Sequence, residues 1–260
     1  MPNNLLEGDI ALITGAASGI GRGIAHALAH EGARVVLADV DRERGEAAAA
    51  ALRAEGAEAV FQFADLASED GPASLCGTAP LTFGPFTILV HSASPRRLES
   101  DHVLAVSDAV FDQMLAVNLK AGFILAREIS RRMLERKIRG RILFITSLHA
   151  ATPRNLPHYS ASKAGQTMIM KEFAKALGPH GIRVNAIAPG AVPGGGFDAT
   201  GAGLERLIAC TSLRRLGTPE DIGAMAVALL CDRFSAYVTG TTVDVDGGMA
   251  LHNWIEPTQL

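Results

Sequence analysis

Near its amino end the chain reads Ile10-Ala-Leu-Ile-Thr14-Gly-Ala-Ala-Ser-Gly-Ile-Gly21, an apolar run of strand length that passes directly into a glycine-rich turn. A helical pattern follows over Gly21–Glu31. The glycines at 15, 19 and 21 let the backbone turn tightly and approach a pyrophosphate, which the free N–H groups at the start of a helix stabilise. Their spacing differs from the usual G-x-G-x-x-G fingerprint, but their position between a strand and a helix predicts a nucleotide-binding unit.

The rest of the chain repeats this alternation of strand and helix. Short runs rich in valine and isoleucine, mostly apolar on both faces, lie at Ile10–Thr14, Arg34–Ala38, Ala59–Phe63, Ile88–His91, Arg141–Thr146, Arg183–Ile187 and Thr242–Val245. Helical patterns between them include Arg42–Glu55, Phe111–Arg136, Tyr159–Leu177 and Pro219–Leu230. Strands that are apolar on both faces belong to parallel sheets covered on both sides. The pattern predicts an α/β fold, a doubly wound Rossmann-type domain with a seven-stranded parallel sheet flanked by helices on both faces.

Residues 1–260 are predicted to form a single domain, because no proline- or serine-rich linker, charge block or repeat divides them. One stretch breaks the regular pattern. It begins Pro189-Gly-Ala-Val-Pro-Gly-Gly-Gly-Phe197 and continues through Gly201-Ala-Gly203. A glycine-rich stretch after a strand suits a mobile substrate lid, predicted at about residues 190–213, with a merely disordered loop as the alternative.

The composition excludes several classes of protein. The 260 residues contain 24 lysines and arginines against 27 acidic residues, a net charge of −3, so no excess of positive charge indicates a nucleic acid or membrane partner. Cys76, Cys210 and Cys231 are far apart and form no C-x-x-C pair, so we expect neither a disulfide framework nor a metal site. The amino end lacks the pattern of a signal peptide, and no apolar run reaches the roughly 18 residues of a membrane span, which predicts a cytoplasmic protein.

Asp39 stands at the end of the second strand. An acidic side chain at this place accepts hydrogen bonds from the adenosine ribose hydroxyls and would repel a 2′-phosphate, so NAD(H) is predicted to be preferred over NADP(H). Neither Ser18 nor Val40 offers a cation to such a phosphate, and Arg42 is the one nearby residue that could. A turn or helix-cap role is the alternative for Asp39. Asp65, at the end of the third strand, is placed either to reach the adenine amine or to cap the next helix.

Tyr159 and Lys163 are four residues apart, on one face of a predicted helix that follows the strand end Ile145-Thr-Ser147. A lysine ammonium beside a phenol favours the phenolate, which makes the tyrosine a usable general acid or base. The spacing alone is common, but its place after this strand predicts a chemical site.

Together these motifs resemble the classical short-chain dehydrogenase/reductase family, from Asp9 to Gly248. The matched features are Thr14-Gly-Ala-Ala-Ser-Gly-Ile-Gly21, the acid at 39, Asn118 within Asn-Leu-Lys, Ser147 with Tyr159 and Lys163, and Asn185-Ala-Ile-Ala-Pro-Gly190. The resemblance implies NAD(P)-dependent oxidation of an alcohol or reduction of a ketone, and commonly a homotetramer.

The resemblance also implies a role for each matched residue. Tyr159 would exchange a proton with the substrate oxygen, Ser147 would hold that oxygen, and Lys163 would bind the nicotinamide ribose. Asn118 would hold a water that links Lys163 to solvent. The cofactor would contact Gly15, Ser18, Gly19, Ile20, Gly21, Asp39, Asp65, Leu66, Ala93, Tyr159, Lys163, Pro189, Gly190 and Val192. The mechanism needs no catalytic metal.

Three departures from the family pattern stand out. His91-Ser-Ala-Ser94 replaces the usual Asn-Asn-Ala-Gly, and Pro193-Gly194 stands where the family often has a threonine that bonds the nicotinamide carboxamide. Ser147 lies one residue closer to Tyr159 than is usual, which gives Thr146 the standard spacing. Ser147 is preferred, because a one-residue deletion in the loop explains the difference and Thr146 still alternates with the strand.

Substrate contacts are predicted for Arg96, His149, Arg154, Asn155 and Phe197. Their mixture of histidine, asparagine and arginine favours a polar substrate such as a polyol or sugar, and the loop after the fifth strand resembles that of sugar dehydrogenases of the family. The adjacent pair at 96 and 97 could bind an anionic group, although adjacent arginines on a loop are more often solvated.

We therefore expect an NAD-dependent oxidoreductase that interconverts a secondary alcohol and a ketone, or a sugar hemiacetal and a lactone, on a small polar molecule. A 3-oxoacyl-thioester reductase is the nearest alternative, which Asp39 disfavours because such an enzyme would be expected to prefer NADP. A non-catalytic NAD-binding sensor or scaffold is a third possibility, and the joint presence of Asn118, Ser147, Tyr159 and Lys163 disfavours it.

Two predicted helices carry more apolar residues than one sheet face can cover. They are Met114, Val117, Phe123, Ile124, Ile129 and Met133 on the first, and Met168, Ile169, Met170 and Phe173 on the second. Such helices are typical of a subunit interface, which favours a homotetramer over a monomer with deeply buried helices.

Overall fold

Seven strands form one parallel sheet in the part of the chain that the computed structural model describes, residues 4–78, 80–98, 100–194 and 201–251. The strands are β1 (Ile10–Thr14), β2 (Arg34–Asp39), β3 (Ala59–Phe63), β4 (Ile88–His91), β5 (Arg141–Ile145), β6 (Arg183–Pro189) and β7 (Thr242–Val245). Their order across the sheet is β3-β2-β1-β4-β5-β6-β7, and every neighbouring pair is parallel. The predicted α/β fold is confirmed.

Helices cover both faces of the sheet. They are α1 (Gly19–His30), α2 (Arg42–Ala54), α3 (Gly71–Thr78), α4 (Pro80–Phe83), α5 (Asp108–Leu115), α6 (Gly122–Glu135), α7 (Pro157–Leu177), α8 (Gly201–Ala209), α9 (Pro219–Leu230) and α10 (Asp232–Ser235). One core packs α1, α2 and α9 against the sheet and contains Ile24 and Ile222. The other packs α3, α6 and α7 and contains Leu125 and Met170.

The start of α9 illustrates how local sequence sets these boundaries. The Thr218 side chain accepts from the N–H of Asp221, and the Asp221 carboxylate accepts from the N–H of Thr218 at 2.8 Å. This capping box satisfies two donors that a helix start leaves unpaired, and Pro219 fits the first turn because it has no N–H to pair.

The strand order creates a crevice at the carboxyl edge of the sheet. β1 is paired with β2 on one side and with β4 on the other, so the connections leave toward opposite faces at this point. Thr14 is in register with Ala38 and with His91, so three strand ends meet there. Open α/β sheets bind their ligands at such a switch point.

The helical run Asp108–Glu135 joins α5, a π-helical segment Ala116–Ala121, and α6. By length and composition it is long and apolar enough to cross a membrane. Its residues Leu125, Ile129 and Met133 nevertheless fill the core against the sheet, which is the packing of a core helix. The sequence predicted one uninterrupted helix here, whereas the structure has a π-helical turn around Asn118.

Candidate active site

A cleft of about 460 Å³ opens at the carboxyl edge of the sheet. Nearly all residues predicted to contact a cofactor line it, namely Gly15, Ser18, Ile20, Gly21, Asp39, Asp65, Leu66, Ala93, Tyr159, Lys163, Pro189, Gly190 and Val192. Gly19 is the exception: it does not line the cleft, and the chain at Gly194, which does, passes close to it. Ser147, predicted to hold the substrate oxygen, lines the same cleft.

The turn after β1 has no room for a side chain at two of its glycines. Gly15 has a φ of 68°, and a Cβ there would lie 2.7 Å from the Cα of Ala93 in the loop after β4. A Cβ on Gly21 would overlap the carbonyl oxygen of Gly15. The backbone therefore folds closely over the start of α1, whose first N–H groups have no acceptor within the helix. This cradle fits the pyrophosphate of a dinucleotide.

The Asp39 carboxylate is held by backbone groups at the end of β2. Its Oδ2 accepts from the N–H of Ala17 at 3.0 Å, and its Oδ1 accepts from the N–H of Asp41 at 3.0 Å. The turn contact considered as an alternative role is therefore real. The side chain also lines the cleft, so one carboxylate is placed to stabilise the glycine turn and to meet a ribose.

Two neighbouring residues complete this end of the cleft. The Arg42 guanidinium lies 4.7 Å from the centre of the Phe63 ring, in a cation–π contact. Asp65 lines the cleft, and its Oδ1 accepts from the N–H of Ala67 at 2.9 Å. This is a turn contact ahead of α3, which begins at Gly71, and not the helix cap considered as its alternative role.

His91, where the family usually has asparagine, links the cleft to the π-helical segment. The ring is fully buried, and burial is the main cause that lowers its pKa to about 4, so it is neutral at pH 7. Nε2 lies 3.1 Å from the carbonyl oxygen of Asn118, which can only accept, so Nε2 carries the proton. Nδ1 then accepts from the Thr14 hydroxyl at 3.0 Å. Thr14 Oγ1 in turn accepts from the N–H groups of Ser92 and Ala93 at 3.2 Å.

Sequence reasoning missed this connection. The signal was present, because a histidine that ends a strand apolar on both faces needs buried hydrogen-bond partners. Which groups supply them follows from the pairing of β1 with β4 and from the position of the π-helical segment, and neither can be read from local sequence.

Asn118 is fully buried in the π-helical segment. Its carbonyl oxygen accepts from Gln166 Nε2 at 2.6 Å and from His91 at 3.1 Å, which uses both lone pairs. Its Nδ2 donates to Ser162 Oγ at 2.9 Å, and that hydroxyl donates to the carbonyl oxygen of Tyr159 at 2.7 Å. Within the described residues its Oδ1 is buried without a hydrogen-bond partner. Oδ1 is therefore the atom of Asn118 that fits the predicted relay water.

Lys163 and Tyr159 project from the same side of α7, as their spacing predicted. Lys163 Nζ lies 5.5 Å from the centre of the Tyr159 ring and donates to the carbonyl oxygen of Ile145 at 2.8 Å. Burial, and after it the positive charge of Arg97, lowers the pKa of Lys163 to about 7. A lysine that titrates near neutral pH can take up and release a proton.

Ser147 and Thr146, the two candidates for the hydroxyl that holds the substrate, have different surroundings. The Thr146 hydroxyl donates to the carbonyl oxygen of Ile187 at 2.9 Å, within the sheet. Ser147 Oγ accepts from the N–H of His149 at 3.2 Å and caps a 3₁₀ turn at Leu148–Ala150. Of the two, Ser147 alone also lines the adjoining pocket, which supports the preference for it.

The adjoining pocket has a volume of about 400 Å³. It shares with the cleft Arg97, Ser147, Pro189 and Gly190. Two residues predicted to contact substrate, His149 and Arg154, line it. The His149 ring stands edge-on to the Tyr159 ring, 5.0 Å between centres. Leu207 of α8 also lines it, so part of the predicted lid borders this pocket.

The structure does not bring Arg96 or Asn155 into either pocket. Arg96 is exposed, whereas Arg97 is half-buried, with its guanidinium 4.6 Å from the centre of the Tyr159 ring. Asn155 is exposed, with a φ of 58°, and its Oδ1 accepts from the N–H of Val103 at 3.5 Å. Phe197 lies outside the described residues.

Two further expectations concern metals and cysteines. Among the residues that the structure describes, no group of three or more histidine, cysteine, aspartate or glutamate side chains is placed to hold a metal ion. Cys76, Cys210 and Cys231 are buried as free thiols.

Comparison with known proteins finds similar oxidoreductases over nearly the whole chain. A family profile described as enoyl-(acyl carrier protein) reductase matches residues 15–250. A protein of Bradyrhizobium diazoefficiens, named as a probable short-chain type dehydrogenase/reductase, is 37% identical over 257 residues, which cover 95% of this chain and 89% of that protein. L-rhamnose 1-dehydrogenase (NAD(P)(+)) of Azotobacter vinelandii is 34% identical, over 94% of this chain and 98% of its own. A structure from Agrobacterium tumefaciens assigned as a gluconate dehydrogenase superposes with a TM-score of 0.87 at 28% identity, over 94% of this chain and 97% of its own.

Proposed function

The chain belongs to the short-chain dehydrogenase/reductase family, oxidoreductases that bind a nicotinamide cofactor, and on that basis we propose that it is an NAD-dependent dehydrogenase of polar alcohols. It interconverts a secondary alcohol and a ketone, or a sugar hemiacetal and a lactone, with Tyr159 as general acid and base. The observation that carries the proposal is that Ser147, Tyr159 and Lys163 line one cleft with the glycine turn and Asp39.

The residues of the cleft fit NAD(H) in three places. The glycine turn and the start of α1 would hold the pyrophosphate, and Asp39 would accept hydrogen bonds from the adenosine ribose. Pro189, Gly190 and Val192 would line the nicotinamide. When bound, NAD⁺ supplies the acceptor for the hydrogen and the two electrons that leave the alcohol carbon.

The side chains of the protein handle the remaining hydrogen, which leaves the substrate oxygen as a proton. Tyr159 accepts that proton in alcohol oxidation and returns one in ketone reduction. The Ser147 hydroxyl hydrogen-bonds the same oxygen and fixes its position. Lys163, buried beside the phenol, would bind the nicotinamide ribose.

The proton must also travel between Tyr159 and solvent. Lys163, with its pKa lowered to about 7, can pass it on. Asn118 Oδ1 would bind the relay water, because the carbonyl oxygen of Asn118 already accepts from His91 and Gln166. The π-helical segment is what presents this asparagine to α7.

The preference for NAD(H) rests on Asp39. A carboxylate beside the adenosine ribose would repel the 2′-phosphate of NADP(H). Arg42, the one cation that could oppose this, is stacked on Phe63. The L-rhamnose relative is named for both cofactors, so cofactor preference varies among similar chains.

A polyol, sugar or related hydroxy compound is the substrate class that the pocket favours. His149 and Arg154 offer polar contacts there, and relatives are named for L-rhamnose and for gluconate. A 3-oxoacyl-thioester reductase is the second candidate, because the matching family profile is described as an acyl carrier protein enzyme. Asp39 weighs against it.

We also propose that residues 1–260 form one catalytic domain of a cytoplasmic homotetramer. The outer faces of α6 and α7 support the assembly: Phe123 and Met168 are 39% and 57% exposed, and Phe123 lies 5.8 Å from Phe173, ring centre to ring centre. Exposed apolar side chains side by side on two helices are typical of a subunit interface.

The test is the initial rate of NAD and, separately, NADP reduction by the purified protein over polyols, aldoses, hydroxy acids, cyclic alcohols and 3-hydroxyacyl thioesters. We expect NAD-dependent turnover of one polar class. Turnover of 3-hydroxyacyl thioesters alone, with NADP, would establish the second candidate and remove Asp39 from its assigned role.

A further inference from the structure

The pocket next to the cleft is lined by two arginines from separate loops. Arg97 comes from the loop after β4, and Arg154 comes from the loop between β5 and α7. Both are half-buried. Arg97 also lines the cleft and lies over the ring of Tyr159, so the pocket continues directly to the proposed acid and base.

Both guanidinium groups lie close enough to His149 to affect its ionisation. After burial, the charges of Arg97 and Arg154 are the causes that lower the pKa of His149 to about 3, so His149 is neutral at pH 7 and adds no charge. Burial lowers the pKa of Arg154 to about 10; the charge of Asp246 opposes this, and the charge of Arg97 adds a smaller lowering effect. The oxygens of Asp246 accept backbone N–H bonds at 2.8 and 2.7 Å from the turn that follows it.

This arrangement matches the chemistry of an anion. Guanidinium groups present forked donors that fit the oxygens of a carboxylate or phosphate, and such charge-assisted hydrogen bonds are about twice as strong as neutral ones. Both arginines would attract an anionic group, whereas a neutral hydroxyl gains no such attraction.

We propose that this pocket binds an anionic group of the substrate, a carboxylate or a phosphate, between Arg97 and Arg154. The substrate is then an acidic polyhydroxy compound, whose reacting carbinol lies at Ser147 and Tyr159 while its acid group lies at the arginines. This inference rests on the proposed function of the same site and adds the charge of its substrate.

The first test compares substrates that differ in charge. Initial rates with NAD are measured for D-gluconate and other aldonates, for D-sorbitol 6-phosphate, and for neutral D-sorbitol. We expect kcat/KM for an acidic compound to exceed that of the neutral polyol by about 100-fold, because two charge-assisted contacts are made only by the acid. The better of carboxylate and phosphate identifies the anion.

The second test removes one arginine. Arg154→Gln is expected to raise KM for the acidic substrate about 30-fold and KM for the neutral polyol much less, so that the preference for the acid falls at least about 10-fold. Arg154→Lys should recover part of the loss, because it keeps the charge without the fork. Arg136→Gln is the charge-matched control, since Arg136 is exposed at the end of α6, and it should change nothing.

A binding measurement separates this inference from the proposed function. D-Gluconate and D-sorbitol 6-phosphate are titrated calorimetrically into Tyr159→Phe with NAD bound, and into the same protein carrying Arg154→Gln. Binding that Arg154→Gln weakens at least about 10-fold supports the inference even if nothing is turned over. Turnover of neutral polyols with no preference for acids and no effect of Arg154→Gln would overturn it and leave the dehydrogenase proposal standing. The absence of binding by any acid would also overturn it.

Discussion

Asp39 performs two tasks with one carboxylate. One oxygen holds the N–H of Ala17 in the glycine turn, and the other holds the N–H of Asp41, while the side chain lines the cleft. An amide at this position could keep one of those backbone bonds and would lose the charge. The charge and the turn contact can therefore be separated by a single substitution.

Asp39→Asn is expected to lower the ratio of kcat/KM for NAD to that for NADP by at least about 10-fold, because the repulsion of the 2′-phosphate is removed. Initial rates with both cofactors give the ratio. Asp41→Asn is the matched control, since Asp41 caps α2 through the N–H of Arg44, and it should leave the ratio unchanged. An unchanged ratio in Asp39→Asn would remove Asp39 from cofactor selection.

The elements of this fold differ in how much their sequence reveals. The strands were predicted within two residues, because runs such as Ile10–Thr14 are apolar on both faces and end at glycine or a polar residue. The run Phe111–Arg136 was predicted as one continuous helix, because its π-helical turn does not interrupt the spacing of the apolar residues. The partners of the Asn118 carbonyl, His91 and Gln166, come from β4 and α7, so they are visible only in three dimensions.

The candidate site, like the fold, could be predicted from the sequence only where local motifs identify its residues. Ser147, Tyr159 and Lys163 could be chosen because each belongs to a motif of fixed spacing next to a strand end. Arg97 could not be chosen over Arg96, since the two are adjacent and only the path of the loop turns Arg97 toward the pocket.

The link between β4 and the π-helical segment predicts a pH dependence of stability. In the unfolded chain His91 titrates near 6.5, and burial lowers its folded pKa to about 4, so the unfolded state binds more protons between these values. Neutral His91 makes its full contribution to the free energy of unfolding at pH 7. This contribution falls as the pH drops below 6.5 and is lost by pH 4. The stabilisation lost between these pH values is up to about 3 kcal/mol.

The variant His91→Asn has no titratable side chain at this position, so it lacks this pH-dependent contribution. The difference between the free energies of unfolding of wild type and His91→Asn, measured by urea denaturation, should shrink as the pH is lowered from 7 to 4. The other histidines cancel in the difference. A difference that stays constant over that range would mean that His91 is not buried neutral.

In the assembly as a whole, the apolar faces of α6 and α7 matter, because no other described residue of the subunit covers Phe123 and Met168 fully. Met168 is 57% exposed, and it stands on the same helix as Tyr159 and Lys163. An interface on this face would hold α7 from outside while the π-helical segment holds it from inside. Assembly would then help to keep the proposed acid and base in place.

Met168→Glu is expected to shift the proposed tetramer toward smaller species, because a charge would be buried in an apolar contact. Light scattering coupled to size exclusion measures the mass. Leu104→Glu is the control, as Leu104 is 91% exposed on the loop after β4, and it should leave the mass unchanged. A tetramer that persists in Met168→Glu would place the interface elsewhere.

The role of Tyr159 as general acid and base is tested by comparing wild type with Tyr159→Phe. Two quantities are measured on the same samples: kcat with NAD on the best substrate, and the dissociation constant of NAD. We expect kcat of Tyr159→Phe to fall by about 1,000-fold, because a general acid and base is lost, while the dissociation constant for NAD stays within about twofold. Equal turnover by wild type and Tyr159→Phe would contradict the account, and a wild type that binds NAD and turns over no substrate would identify a non-catalytic sensor.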